Sequence, residues 1–238
     1  MSDSVQMERH ELRFEATQNA GEIPAIVMHP ADARAGLVFA HGAGAGMRHG
    51  FMESIAARLA ARRVATFRYE FAYMAAGGRR PDSQPVLLAT VRSAVARAAE
   101  VFGELVLFAG GKSMGGRMTS LSAAAAPLEG VRGLVFFGFP LHPPGRPGTD
   151  RADHLADVQV PLLFLQGPRD TLAELRLLQP VIDGLGERAT LLIEDGADHG
   201  FHVLKKSGRT DADVLDSLAD RSASWFAGVA ARAGRSDP

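Results

Sequence analysis

Cysteine is absent from this chain of 238 residues. No disulfide, thiolate nucleophile or thiolate metal site can form, so any catalytic chemistry has to use oxygen and nitrogen groups. A surplus of either charge is missing as well, since 26 Lys and Arg stand against 27 Asp and Glu. Without a basic surface there is no electrostatic footprint for nucleic acid or for an anionic membrane, and neither is expected as a partner. Long apolar runs are also lacking. The residues from Met1 to Glu8 have no apolar core of the signal-peptide kind, and no later stretch is long enough to span a bilayer, so a cytoplasmic location is expected. The chain does have a hydrophobic content of 46%, enough for one sizeable core. A single domain over residues 1–231 is expected, with residues 232–238 as a flexible tail.

The hydrophobic pattern changes character along the chain. Residues 9–17 alternate polar and apolar side chains, and Ile23 to Met28 follows a Gly-Glu turn, which predicts an antiparallel hairpin at one sheet edge. Short continuous apolar runs come next: Gly36 to Ala40, Ala65 to Tyr69, Leu105 to Ala109, Gly133 to Phe137, Leu162 to Gln166 and Thr190 to Ile193. Such runs suit strands buried on both faces. Helical periodicity separates them over Phe51 to Arg62, Val86 to Val101, Met114 to Ala125, Leu172 to Leu185 and Asp211 to Ala231. The alternation predicts an α/β fold with a mostly parallel sheet and right-handed crossovers that place helices on both faces. A Pro- and Gly-rich segment from Pro140 to Gly148 is too short and broken for a second domain and reads as a loop over the site.

One hydroxyl stands where a strand turns into a helix. Gly111-x-Ser113-x-Gly115 lies between the Leu105 run and the alanine-rich helix, which is the arrangement of a nucleophile elbow. Gly111-Lys112-Ser113 also looks like the end of a phosphate-binding loop, but the glycine that motif needs falls on Val106, inside the predicted strand. His41-Gly-Ala-Gly-Ala-Gly-Met47 resembles a dinucleotide loop until its helix-packing position, which holds Met47 in one register and His49 in the other. A serine hydrolase has a use for the same loop, since its backbone N–H groups can face an acyl oxyanion. Ala43 and Met114 are the expected oxyanion donors, with Gly44 as a close substitute for Ala43; Gly44, Met47, Glu70 and His142 are candidates for the pocket wall.

A serine needs a base, and the base needs an acid. Of the eight histidines, His142, His154, His199 and His202 lie beyond Ser113. His199 stands in the loop directly after the predicted strand Thr190 to Ile193, the place where a parallel sheet displays its functional groups, and is the expected base. His202, three residues on, reads as a supporting or surface group, and His142 and His154, in or just after the Pro- and Gly-rich loop, as substrate contacts or solvated side chains. The preceding strand ends in Gly167-Pro-Arg-Asp170, so Asp170 is the expected acid, with Asp195 and Asp198 as alternatives and an N-cap role for Asp170 compatible with the first. His199 and His202 could bind a metal but form no larger ligand cluster, and no metal or cofactor is expected. Arg68 and Glu70 are read either as pocket residues or as a structural pair, and Arg117 as a partner for a nearby carboxylate.

Taken together, His41 to Met47, Phe67-Arg-Tyr-Glu-Phe-Ala-Tyr-Met74, Gly110 to Arg117, Gln166 to Asp170 and Asp198-His-Gly-Phe201 resemble the α/β-hydrolase superfamily over nearly the whole chain. The likeness is to its dienelactone-hydrolase-like branch, which includes bacterial predicted hydrolases and the testis-expressed protein 30 type. It implies an α/β-hydrolase fold of about eight strands without a substantial lid domain, and a triad of Ser113, His199 and Asp170. Dienelactone hydrolases proper carry cysteine at the place of Ser113, which argues against dienelactone as the substrate. The expected activity is hydrolysis of carboxylic esters or related acyl compounds through an acyl-enzyme, on a small-molecule substrate. The alternative is a non-catalytic scaffold that keeps the fold and binds partners.

Overall fold

A computed structural model describes residues 7–233. Its strands are β1 (Met7–Thr17), β2 (Gly21–Pro30), β3 (Ala35–Ala40), β4 (Val64–Tyr69), β5 (Val106–Lys112), β6 (Val131–Phe137), β7 (Leu162–Gln166) and β8 (Ala189–Ile193). The helices are α1 (Gly50–Ala60), α2 (Ala72–Ala75), α3 (Gln84–Phe102), α4 (Met114–Ala125), α5 (Leu175–Leu185) and α6 (Asp211–Ala233). The strands form one sheet in the order β1-β2-β4-β3-β5-β6-β7-β8. β1 and β2 pair antiparallel as the hairpin pattern predicts, β2 pairs antiparallel with β4, and all pairs from β4 across to β8 are parallel.

The apolar runs are strands because both of their faces are covered. In β3, Val38 packs into the core under α3 and α4, while Leu37 and Phe39 pack into the core under α1 and α6. β5 divides in the same way, Leu107 and Ala109 to one side and Phe108 to the other. Phe108 stacks on Phe226 of α6 with ring centroids 4.3 Å apart. Arg58 of α1 and Arg62, in the turn just after it, pair with Asp216 and Asp220 of α6, holding the two helices of that face side by side. Among the described residues no helix is long and apolar enough to cross a membrane.

The order of the strands creates the functional position. From β3 the chain crosses to β4 on one side, then returns over β3 to β5 on the other. Strand order therefore reverses about β3, and the carboxyl ends of β3 and β5 open side by side into a crevice.

Four local expectations need correction. The strand expected to end at Ala109 continues to Lys112, because Gly110 and Gly111 keep the ladder with Val135 and Phe136. The helix expected from Leu172 begins at Leu175, since Asp170 Oδ1 accepts the Leu172 N–H in a side-chain turn before Glu174 caps the helix. Asp170 is therefore not the helix N-cap. Residues 232 and 233, expected in a flexible tail, continue α6, and residues 234–238 lie outside the described part of the chain. Between β6 and β7 the chain makes the loop from Gly138 and a 3-10 helix at Asp150–Asp157, with no lid domain.

Candidate active site

Ser113 leaves β5 with φ 51° and ψ −116°, and α4 begins at the next residue. A non-glycine residue with this backbone carries a strain of about 1–3 kcal/mol, which persists only where its surroundings impose it. The surroundings are backbone in close approach. A Cβ on Gly115 would lie 2.5 Å from the carbonyl oxygens of both Ala40 and His41, and one on Gly111 would lie 2.4 Å from Ala40 O. The glycines of the motif thus let α4 and β5 sit against the end of β3. Gly115→Ala is expected to lower stability by about 1–3 kcal/mol, the usual cost of overpacking. The measurement is a lower urea midpoint with an unchanged slope.

Three side chains from three strand ends converge at this turn. Ser113 Oγ is 2.9 Å from His199 Nε2, and His199 Nδ1 is 2.7 Å from Asp170 Oδ2. A carboxylate only accepts, so the ring proton belongs on Nδ1, leaving Nε2 free to accept from the serine hydroxyl. Asp170 is buried and fully engaged: Oδ1 takes the Leu172 N–H at 2.8 Å, and Oδ2 also accepts from Gln166 Nε2. The Gln166 amide cannot turn over freely, because its Oε1 accepts the Phe139 N–H at 3.1 Å. Gln166 was given no role at the site in the reading from sequence. It was visible there as the last residue of a strand and the first of the stretch that runs to Asp170, and its bond to Asp170 requires the fold.

The other candidate acids and bases are occupied elsewhere. Asp198 Oδ1 accepts the N–H groups of Gly200 and His202, shaping the turn that carries His199, and Asp195 is exposed. His202 pairs with Asp211 at 2.8 Å. His154 lies 2.8 Å from Ser120 Oγ; burial, reinforced by the charge of Arg117, pushes its pKa down to about 4. Arg117 has no carboxylate partner among the described residues and lies instead near Arg151. The expectation of an ion pair there is not met. No group of three or more His, Cys, Asp or Glu among the described residues could hold a metal ion.

The loop from His41 to Met47 is held from behind. His41 is buried, its Nδ1 2.7 Å from Gly42 O and its Nε2 accepting the Phe71 N–H at 3.1 Å. Glu70 accepts the Met47 N–H at 3.1 Å, and the buried Arg68 donates to Met47 O at 2.9 Å. Arg68 and Glu70 thus hold the carbonyl and the N–H of one residue, Met47, and brace the loop. Tyr73 Oη accepts the Gly44 N–H at 3.0 Å, which occupies the donor that sequence offered as a substitute for Ala43. Neither the Ala43 N–H nor the Met114 N–H has an intramolecular acceptor among the described residues. Met114 opens α4, and the first N–H groups of a helix have no partner within it.

A cleft of about 300 Å³ opens beside Ser113 and His199, with apolar walls from Ala43, Ala45, Phe51 and Met52. Ala43 is therefore at the cleft. Gly44, Met47, Glu70 and His142, the other pocket candidates, do not line it. Met47 and His142 are buried, and the His142 ring is committed to Pro143 O and to Glu174 at 2.8 Å. Met47, Glu70 and His142 follow or neighbour strand ends, as pocket residues do, but their side chains turn back into the supporting layer. Lys112 does line the cleft, although the reading from sequence gave its side chain no role there.

A family model described as an alpha/beta hydrolase domain matches residues 33–227. Among solved structures, dienelactone hydrolase from Anabaena variabilis is 20% identical, with a TM-score of 0.74 over 94% of this chain and 98% of its own. An α/β serine hydrolase without lid from Xanthomonas campestris is 20% identical, with a TM-score of 0.70 over 92% of this chain and 95% of its own. The esterase domain of a Rhodothermus marinus protein is 16% identical, with a TM-score of 0.69 over 92% of this chain and 97% of its own. At these identities the likeness is one of fold, and with the family match over residues 33–227 it shows that the chain belongs to the alpha/beta hydrolase domain family.

Proposed function

We propose that the protein is a serine hydrolase that cleaves carboxylic esters or related acyl compounds of small size through an acyl-enzyme. The observation that carries this reading is the continuous path from Ser113 Oγ to His199 Nε2 at 2.9 Å and from His199 Nδ1 to Asp170 at 2.7 Å. In the forward step Ser113 Oγ attacks the acyl carbon while His199 takes its proton. His199 then returns that proton to the leaving alcohol as the bond from acyl carbon to alcohol oxygen breaks. Asp170 holds the imidazolium between the two transfers. Water, deprotonated by His199 in turn, attacks the acyl-serine, releases the acid and restores Ser113. The cycle closes on these groups and water without a cofactor.

Negative charge collects on the acyl oxygen in each half of the cycle, and the Ala43 and Met114 N–H groups are assigned to it. Losing one such donor typically costs about 3 kcal/mol of barrier. The apolar cleft and the absence of a lid favour small or extended acyl compounds over long-chain lipid. The esterase domain and the serine hydrolase named above share this fold, which supports the reading. The wild-type protein is expected to be labelled by a fluorophosphonate at Ser113 and to turn over short p-nitrophenyl esters. A protein that neither labels nor hydrolyses any member of a broad ester panel would overturn it.

A further inference from the structure

We infer that Lys112 is a positioning residue for His199: its ammonium donates to the His199 carbonyl oxygen at 2.6 Å and so ties the loop bearing the imidazole to the strand bearing the nucleophile. The inference rests on reading Ser113 and His199 as nucleophile and base. Lys112 is the last residue of β5 and Ser113 follows it directly. One rigid strand end therefore holds both the hydroxyl and the clamp on its partner.

The ammonium sits in a box built for it. Phe51 and Phe201 stack with centroids 5.7 Å apart, and Nζ lies 5.8 Å and 5.4 Å from the two rings, within cation–π range. Gly138, at φ 72°, forms another wall: a Cβ there would come within 3.1 Å of Lys112 Nζ and 3.4 Å of His199 Nδ1. Phe201 keeps a positive φ of 64°, unusual for a bulky residue, and is buried with its ring against Phe51. The turn between Asp198 and Phe201 is thus a strained piece of backbone. Asp198 satisfies its N–H groups, and Lys112 satisfies the His199 carbonyl.

The cost of this arrangement argues for its use. A partly buried ammonium with a single hydrogen bond is a poor device for stability, since an apolar side chain of the same size serves as well or better there. The charged and titratable groups facing it are Asp170, Asp198 and His199. Burial lowers the Lys112 pKa to about 8 against the opposing pull of Asp170 and Asp198, so the ammonium persists below that pH and is lost above it. What the charge supplies is a strong, directed bond to the carbonyl of the residue whose ring must stay within reach of Ser113.

Lys112→Met keeps the volume and removes the donor. Both kcat on a p-nitrophenyl ester and the rate of fluorophosphonate labelling are expected to fall roughly 10- to 100-fold with KM little changed, the scale of a small misplacement of catalytic groups. Wild-type kcat is expected to decline as pH rises through about 8, and the variant to lack that limb. Because the chain has no cysteine, Lys112→Cys can be alkylated at a single site with 2-bromoethylamine to restore an ammonium on a chain of nearly equal length. Recovery of kcat on alkylation supports the inference even if Lys112→Met folds poorly. It is overturned if Lys112→Met retains wild-type kcat and pH profile, or if the alkylated protein, confirmed by mass, stays as slow as the unmodified cysteine variant. Wild-type protein that fails to label at Ser113 would instead remove the hydrolase reading, so the two failures are distinguishable.

Discussion

Ser113→Ala is expected to reduce ester turnover by on the order of a millionfold, to the residual rate that binding and oxyanion donors supply without a nucleophile. No neighbour can take over the attack. The chain has no cysteine, and Ser120, the next hydroxyl along that face of α4, donates to Arg117 O and lies against His154. Fold should survive the change. Alanine replaces serine without adding volume, and the positive φ of 51° is imposed by the packing of Gly111 and Gly115, which the substitution leaves intact. The check is paired: kcat and fluorophosphonate labelling vanish together while the thermal midpoint stays close to wild type. Residual turnover at more than a thousandth of wild type would show that another group performs the attack.

Asp170→Asn is expected to cost about ten-thousandfold in kcat, the effect seen where a triad carboxylate becomes an amide. The amide has no good orientation here. With its NH₂ at the Oδ2 position it meets the Gln166 donor, whose direction is fixed by Phe139, and it turns His199 Nδ1 into an acceptor. The ring proton then moves to Nε2, where it faces the serine instead of accepting from it. With its NH₂ at the Oδ1 position it opposes the Leu172 N–H. A loss in kcat with little change in KM would identify a defect in the reacting state rather than in substrate binding. Activity within tenfold of wild type would return Asp195 or Asp198 to consideration as the acid.

Much of the fold follows from patterns a few residues long. Apolar runs such as Leu162–Gln166 cannot be satisfied except as strands covered on both faces, and the intervening helical periodicity supplies the cover. The hairpin is legible for the same reason, since alternation over residues 9–17 can bury only one face. Errors fall at boundaries. Leu172 fits the helical period, but Asp170 Oδ1 draws its N–H into a turn, and that competition between side chain and backbone is decided by where Asp170 must point.

Around Ser113 the division is sharper. The elbow is local, because small residues beside a hydroxyl between strand and helix leave the backbone few alternatives, and His199 and Asp170 are selected by standing just past strand ends. The sequence by itself thus determined the α/β alternation, the position of Ser113 and the short set of residues from which its partners come. Tertiary structure alone decided which groups touch. Lys112 meets His199 across 87 positions, Tyr73 claims the Gly44 N–H across 29, and Glu70, Arg68 and His142 turn away from the cleft they adjoin. The physical reason is that periodicity and turn chemistry are encoded over a few neighbouring residues. The direction of a side chain beyond a strand end depends on the reversal of strand order about β3 and on what the crossing helices leave buried.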